Sequence, residues 1–229
     1  MRASIIGRFV GAAVAATCAL LIEPVPFASA IPSPPPPNPS CPDVEVVFAR
    51  GTGEPPGVGE TGQGFVNSLR SKIGPKSMVV YAVDYPATTD FPTAVDGVND
   101  AGMHVEHTAV DCPKTKMVLG GFSQGAAVMG YVTSAAIPDG APEDAPRPMP
   151  AEVADHVAAI TLFGTPSAQF INSIGAPPLI IGPLYVAKTI QLCSAGDPVC
   201  SNGGDWAAHN AYTDDGMVEE AATFAAGRL

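Results

Sequence analysis

Met117-Val118-Leu119-Gly120-Gly121-Phe122-Ser123-Gln124-Gly125-Ala126-Ala127-Val128-Met129-Gly130 starts as an apolar run of β type, breaks on glycines, and resumes as a run of small residues suited to a helix. A serine sits at the break, in the pattern Gly-x-Ser-x-Gly from Gly121 to Gly125. A strand-to-helix turn this sharp holds its serine in a strained backbone conformation, with the hydroxyl standing clear of the sheet. Glycines two before and two after leave room for the incoming strand and the outgoing helix. The helix aims its first N–H groups, and the positive end of its dipole, at the place where an oxyanion would form. Such a serine becomes a nucleophile when a histidine and a carboxylate reach it.

Outward from this turn, the pattern of short apolar runs separated by helical spacings repeats. Val44 to Ala49 reads as a first strand broken only by Glu45, and Arg50-Gly51-Thr52-Gly53-Glu54 as the turn that ends it. Phe65, Leu69 and Ile73 have helical spacing; Met78 to Val83 is a second strand of buried type. Val95, Val98, Met103, Val105 and Val110 form the apolar stripe of a helix over 94–110. The third strand is Met117 to Gly121, and the helix after Ser123 is expected to reach Ala136. Ile137 to Pro150 holds five prolines and three acidic residues, the composition of an irregular surface loop. Val157 to Phe163 and Lys188 to Cys193 supply a fourth and a fifth strand, and a helix over 216–227 closes the chain. Apolar strands alternating with helices predict an α/β fold, a parallel sheet covered on both faces. Chemistry in such sheets gathers at the carboxyl ends of the strands, so Thr52, Ser123 and Asp197 are expected on one rim.

The first thirty residues read as an export leader. Arg2 and Arg8 precede a long apolar run, and Ala28-Ser29-Ala30 is a small-residue cleavage site. Ile31 to Ser40 is mostly proline, an extended tail unable to form a core. What remains, 41–229, has the size of one domain. Cleavage removes two of 11 basic and one of 22 acidic residues, leaving a net charge of −12. That charge argues against nucleic acid and against anionic membrane surfaces as partners. A secreted monomer with no stable membrane insertion is expected. Four cysteines stay in the processed chain, Cys41, Cys112, Cys193 and Cys200, which read as two disulfides with three possible pairings. They have no Cys-x-x-Cys spacing and no histidine pair beside them, so neither a metal nor another cofactor is expected.

Of the four histidines, His104 and His107 lie three apart on the second predicted helix, where a solvated face is expected, and His156 precedes the fourth strand at the opposite rim. His209, in the loop between the fifth strand and the closing helix, leads back over the sheet edge toward Ser123. Its imidazole needs a carboxylate to fix its tautomer. Asp197, in Cys193-Ser194-Ala195-Gly196-Asp197-Pro198-Val199-Cys200, is the candidate, with Asp205, Asp214 and Asp215 as rivals. The order Ser, Asp, His is that of α/β-hydrolases. The backbone N–H of Gln124 and that of Thr52 are the expected oxyanion donors, with the Thr52 hydroxyl as an additional one.

Four blocks together carry a family resemblance: Val46-Val47-Phe48-Ala49-Arg50-Gly51-Thr52, Gly120 to Gly125, Cys193 to Cys200, and His209. The chain resembles the cutinase family, and most of all the secreted cutinase-like esterases of actinobacteria. The resemblance implies a small lid-less α/β-hydrolase with a central five-stranded parallel sheet and helices on both faces. It implies Ser123 as nucleophile, His209 as base, Asp197 as its orienting acid, and Thr52 and Gln124 at the oxyanion hole. It pairs Cys41 with Cys112 and Cys193 with Cys200. Fungal relatives usually have serine at the position of Thr52, and the loop from Ile137 to Pro150 is longer than a minimal member requires.

Three rim segments, 87–92, 177–184 and 199–206, are expected to meet substrate. They hold Phe91, Leu179, Ile180, Ile181, Leu184, Val199 and Trp206 but no arginine or lysine, which suits short- to medium-chain aliphatic or lipid esters and not an anionic anchor.

Overall fold

A computed structural model describes residues 41–229; the leader and the proline-rich tail lie outside the described residues. Five strands form one parallel sheet: β1 (Val44–Ala49), β2 (Met78–Ala82), β3 (Lys116–Phe122), β4 (Val157–Phe163) and β5 (Thr189–Leu192), in the spatial order β2-β1-β3-β4-β5. Every residue of β1 is buried, and so are all of β3 after Lys116. Both strands have neighbours on both sides, as β4 does, and helices on both faces.

Side chains alternate between the faces, as the two-residue period of a strand demands. Val47, Ala49, Leu119, Ile160 and Leu162 pack on one side with α2 (Ala94–Asp111) and α3 (Gln124–Val132). Val46, Phe48, Val118, Ala159 and Phe163 pack on the other with α1 (Gly59–Lys72) and α6 (Met217–Ala226). Phe48, Phe65 and Phe163 meet there at centroid distances of 5.9 to 6.3 Å. The two remaining helices, α4 (Ala168–Ser173) and α5 (Pro183–Val186), are short and line the path from β4 to β5.

Several elements differ from expectation. β2 is an edge strand, and Val79 and Val80 are 45% and 36% exposed. α1 starts six residues before Phe65 despite three glycines, because packing overrides propensity: a Cβ on Gly62 would lie 2.7 Å from the Phe48 ring. α3 stops at Val132, where the Thr133 hydroxyl bonds back to the Met129 carbonyl and the Thr133 carbonyl accepts the Gly182 N–H. His104 is not on a solvated face. It stacks on Tyr81 with centroids 3.5 Å apart and meets the buried Glu45 through Nε2 at 2.9 Å, and Glu45 also accepts the Thr108 hydroxyl. That network explains the one polar break in β1.

The disulfides join Cys41 to Cys112 and Cys193 to Cys200. The first ties the entry of β1 to the end of α2; the second closes the loop that holds Asp197.

Candidate active site

Ser123 occupies the residue between β3 and α3 with φ 54° and ψ −117°. Among the described residues, Ser123 and Ala87 are the non-glycine residues with positive φ. Each such conformation costs about 1–3 kcal/mol and survives only where its surroundings enforce it. For Ser123 the enforcement is visible. Its N–H donates to the Phe163 carbonyl at 2.8 Å, tying the turn to β4. A Cβ on Gly121 would lie 2.2 Å from the Gly125 carbonyl oxygen, and one on Gly125 would lie 2.0 Å from that of Ala49. Both glycines of the motif are therefore required by backbone-to-backbone approach.

His209, on a short 3₁₀ turn before α6, places Nε2 2.9 Å from Ser123 Oγ and Nδ1 2.8 Å from Asp197 Oδ2. A carboxylate only accepts, so Nδ1 carries the hydrogen, and Nε2 is left to accept the serine hydroxyl proton. Asp197 has no exposed surface. Burial pushes its carboxyl up, but hydrogen bonds from Tyr212, His209 and the Val199 N–H outweigh that and hold it below the usual carboxylate range. The Tyr212 hydroxyl donates at 2.6 Å and the Val199 amide at 2.7 Å. The same environment, burial first and the neighbouring carboxylate second, pushes the Tyr212 phenol far up, so it stays a donor.

Two of the three rival carboxylates are engaged elsewhere. Asp205 accepts the Ala207 N–H, and Asp215 accepts that of Met217 at the start of α6. His156 ends the 3₁₀ turn that feeds β4, at the opposite end of the sheet. The rings of Phe122 and Trp206 flank His209 at centroid distances of 5.0 and 5.8 Å.

On the other side of Ser123 stands the turn after β1. Gln124 opens α3, so its N–H has no acceptor within the helix. Its side chain bridges the two walls of the site: Nε2 donates to the Thr88 carbonyl at 3.1 Å, and Oε1 accepts the Thr52 hydroxyl at 3.2 Å. The Thr52 hydroxyl thus holds Gln124 in place, and it would have to give up that bond to act as a further oxyanion donor. Two residues without a role in the sequence reading support this turn. The Arg50 guanidinium, 4% exposed, donates to the carbonyls of Glu54 and Tyr85 at 2.9 and 2.5 Å. Glu54 accepts the N–H groups of Gly51 and Glu60 at 2.6 and 2.7 Å.

Of the expected substrate-facing residues, Ile180, Leu184 and Trp206 are 65%, 52% and 59% exposed. Val199 is instead part of the core, and Leu179 packs against Gly130 of α3. Among the described residues no group of three histidine, cysteine or acidic side chains is placed to share a metal ion.

The fold is of the α/β-hydrolase type, with a Ser–His–Asp arrangement at the carboxyl rim of its sheet. The cutinase family profile matches residues 40–229, and the chain belongs to the cutinase family. Over 165 residues it is 76% identical to the "Probable carboxylesterase Culp5" of Mycobacterium tuberculosis, covering 72% of this chain and 95% of that one. It is 49% identical over 195 residues to the "Phospholipase Culp4" of the same organism, covering 85% of this chain and 82% of the relative. Among solved structures, a Trichoderma reesei cutinase bound to a phosphonate inhibitor superposes with a TM-score of 0.63 at 32% identity, over 82% of this chain and 76% of that one.

Proposed function

We propose that the chain is a secreted esterase that cleaves short- to medium-chain aliphatic or lipid esters through an acyl-enzyme on Ser123. The enzyme class, a serine carboxylic ester hydrolase, follows from the family and its carboxylesterase and cutinase relatives. The observation that carries the residue roles is the unbroken hydrogen-bond relay from Asp197 through His209 to Ser123, at 2.8 and 2.9 Å.

His209 Nε2 takes the Ser123 proton as Oγ attacks the ester carbonyl carbon. The oxygen of the tetrahedral intermediate, now negative, receives the N–H groups of Gln124 and Thr52. Collapse breaks the bond to the alkoxy group, which leaves as the alcohol with the proton from Nε2. Water then enters, gives a proton to Nε2 and adds to the acyl carbon. The second intermediate expels Ser123 Oγ, which recovers that proton and releases the carboxylic acid. Throughout, Asp197 fixes the imidazole orientation and stabilises the imidazolium, without taking the proton itself.

Residues 1–30 serve as a leader, 31–40 as a spacer, and 41–229 as one catalytic domain, acting as a monomer outside the cell without metal or other cofactor. The two disulfides support an oxidising compartment. No helix among the described residues is long and apolar enough to cross a membrane.

Steady-state hydrolysis of p-nitrophenyl butyrate tests the assignment. Ser123→Ala should lower kcat by about 10⁶-fold, as loss of an acylated serine does in other hydrolases. A variant retaining a tenth of the wild-type rate would overturn it.

A further inference from the structure

A cavity of about 510 Å³ lies beside α2, and neither Ser123, His209, Thr52 nor Gln124 lines it. Its walls are Val95 and Met103 of α2, Tyr131 at the end of α3, Ile137 and Met149 of the proline-rich segment, and Phe91 at the rim end. Segment 137–150, read from sequence as a surface loop, therefore encloses space. Its five prolines limit the chain's freedom to collapse into it. The volume is that of a small-molecule site. Met103 is 58% exposed and Ile137 47% exposed, so apolar surface is open here.

Gly102 supplies an independent observation. It sits in the interior of the 18-residue α2, lines the cavity, and a Cβ there would meet no atom within 4 Å. Glycine is the poorest helix former after proline, so a packing reason is expected for one mid-helix. Gly97 on the same helix has that reason, since its Cβ would lie 2.9 Å from the Tyr85 ring. Gly102 has none among the described residues. The side chain it lacks is what keeps the space empty.

One end of the cavity lining lies near the site. Gln124, next in sequence to Ser123, bonds through Nε2 to the Thr88 carbonyl, and Phe91 follows three residues later. Three residues span at most about 10 Å. From there the lining runs along α2 from Ala94 to Glu106, twelve steps of about 1.5 Å, or about 18 Å. A mainly apolar space whose lining extends this far along α2 from a residue this near an ester-binding site suits an extended hydrocarbon chain. We infer that the cavity receives the distal part of the acyl chain of a long-chain ester whose carbonyl sits at Ser123. This rests on the ester-hydrolase reading above and extends it to long acyl chains.

The test is a kcat/KM profile over p-nitrophenyl acetate, butyrate, octanoate, dodecanoate and palmitate for wild type, Gly102→Ala, Gly102→Phe and Ile137→Asp. In wild type, kcat/KM should rise by up to about fourfold for each methylene that enters the cavity. Gly102→Phe fills the space, and Ile137→Asp puts a charge on its wall. Each should cut dodecanoate and palmitate hydrolysis at least tenfold while leaving acetate within twofold. Gly102→Ala, which adds one methyl group, should follow wild type. Ile137→Asp carries the test by itself if Gly102→Phe fails to fold. Folded variants with the wild-type profile, or a wild-type rate that falls steadily with chain length, would overturn this inference and leave ester hydrolysis standing. A wild type inactive on every ester would overturn both.

Discussion

Asp197 accepts hydrogen bonds from Tyr212, His209 and the Val199 amide in a fully buried position. Because these bonds lower its folded-state value from the ordinary 3.8, they stabilise the fold at pH above that value. The stabilisation disappears as pH falls through the lower, folded-state value. Tyr212→Phe removes one charge-assisted donor, so it should cost about 1.5–3 kcal/mol at neutral pH and move acid unfolding to higher pH. Thermal melts across an acid pH series check both. Asp197→Asn, which leaves the imidazole in the wrong tautomer, should lower kcat by about 10⁴-fold without a comparable change in KM. A loss below tenfold would place the orienting carboxylate elsewhere. Neither Tyr212 nor Arg50 nor Glu54 stood out as a site residue in the sequence. Tyr212 meets Asp197 across 15 positions, and Arg50 reaches Tyr85 across 35, pairings that no local pattern announces.

At the scale of elements, the strand–turn–helix around Ser123 was legible because its constraint is local: two glycines, one small-residue helix, one apolar strand. The contacts behind it run from Gly121 to Gly125 and from Gly125 to Ala49, each below 2.5 Å for an added Cβ. Gly125→Ala should therefore cost about 3 kcal/mol or more, since backbone and not a flexible side chain must move. Urea unfolding of the variant measures this; a loss under 1 kcal/mol would show that the turn yields. The central strands β1, β3 and β4 were legible as apolar runs for a similar reason, being buried on both faces. β2 has the same apolar composition but lies at the edge, and composition does not distinguish the two. α4 and α5, of six and four residues, are too short to show a helical period. The run from Ile137 to Pro150 had the composition of a loop, yet composition says nothing about what a loop encloses.

The molecule as a whole combines a sheet with two apolar cores and two covalent ties. By loop-closure entropy, the tie between Cys41 and Cys112, 71 residues apart, contributes about 4 kcal/mol, and the one between Cys193 and Cys200 about 2.5 kcal/mol. Replacing Cys41 and Cys112 together by serine should lower Tm markedly with kcat little changed in the folded protein. Replacing Cys193 and Cys200 should lower kcat as well, because Asp197 sits inside that loop. Calorimetry paired with esterase assays separates the two effects. Every step of the proposed reaction depends on Ser123 Oγ being the atom that takes the acyl group. Treatment with a p-nitrophenyl alkylphosphonate, followed by peptide mass spectrometry, reads this directly. One adduct should appear on the peptide containing Ser123, and Ser123→Ala should carry none. Stoichiometric labelling at another residue, or labelling that persists in Ser123→Ala, would contradict it.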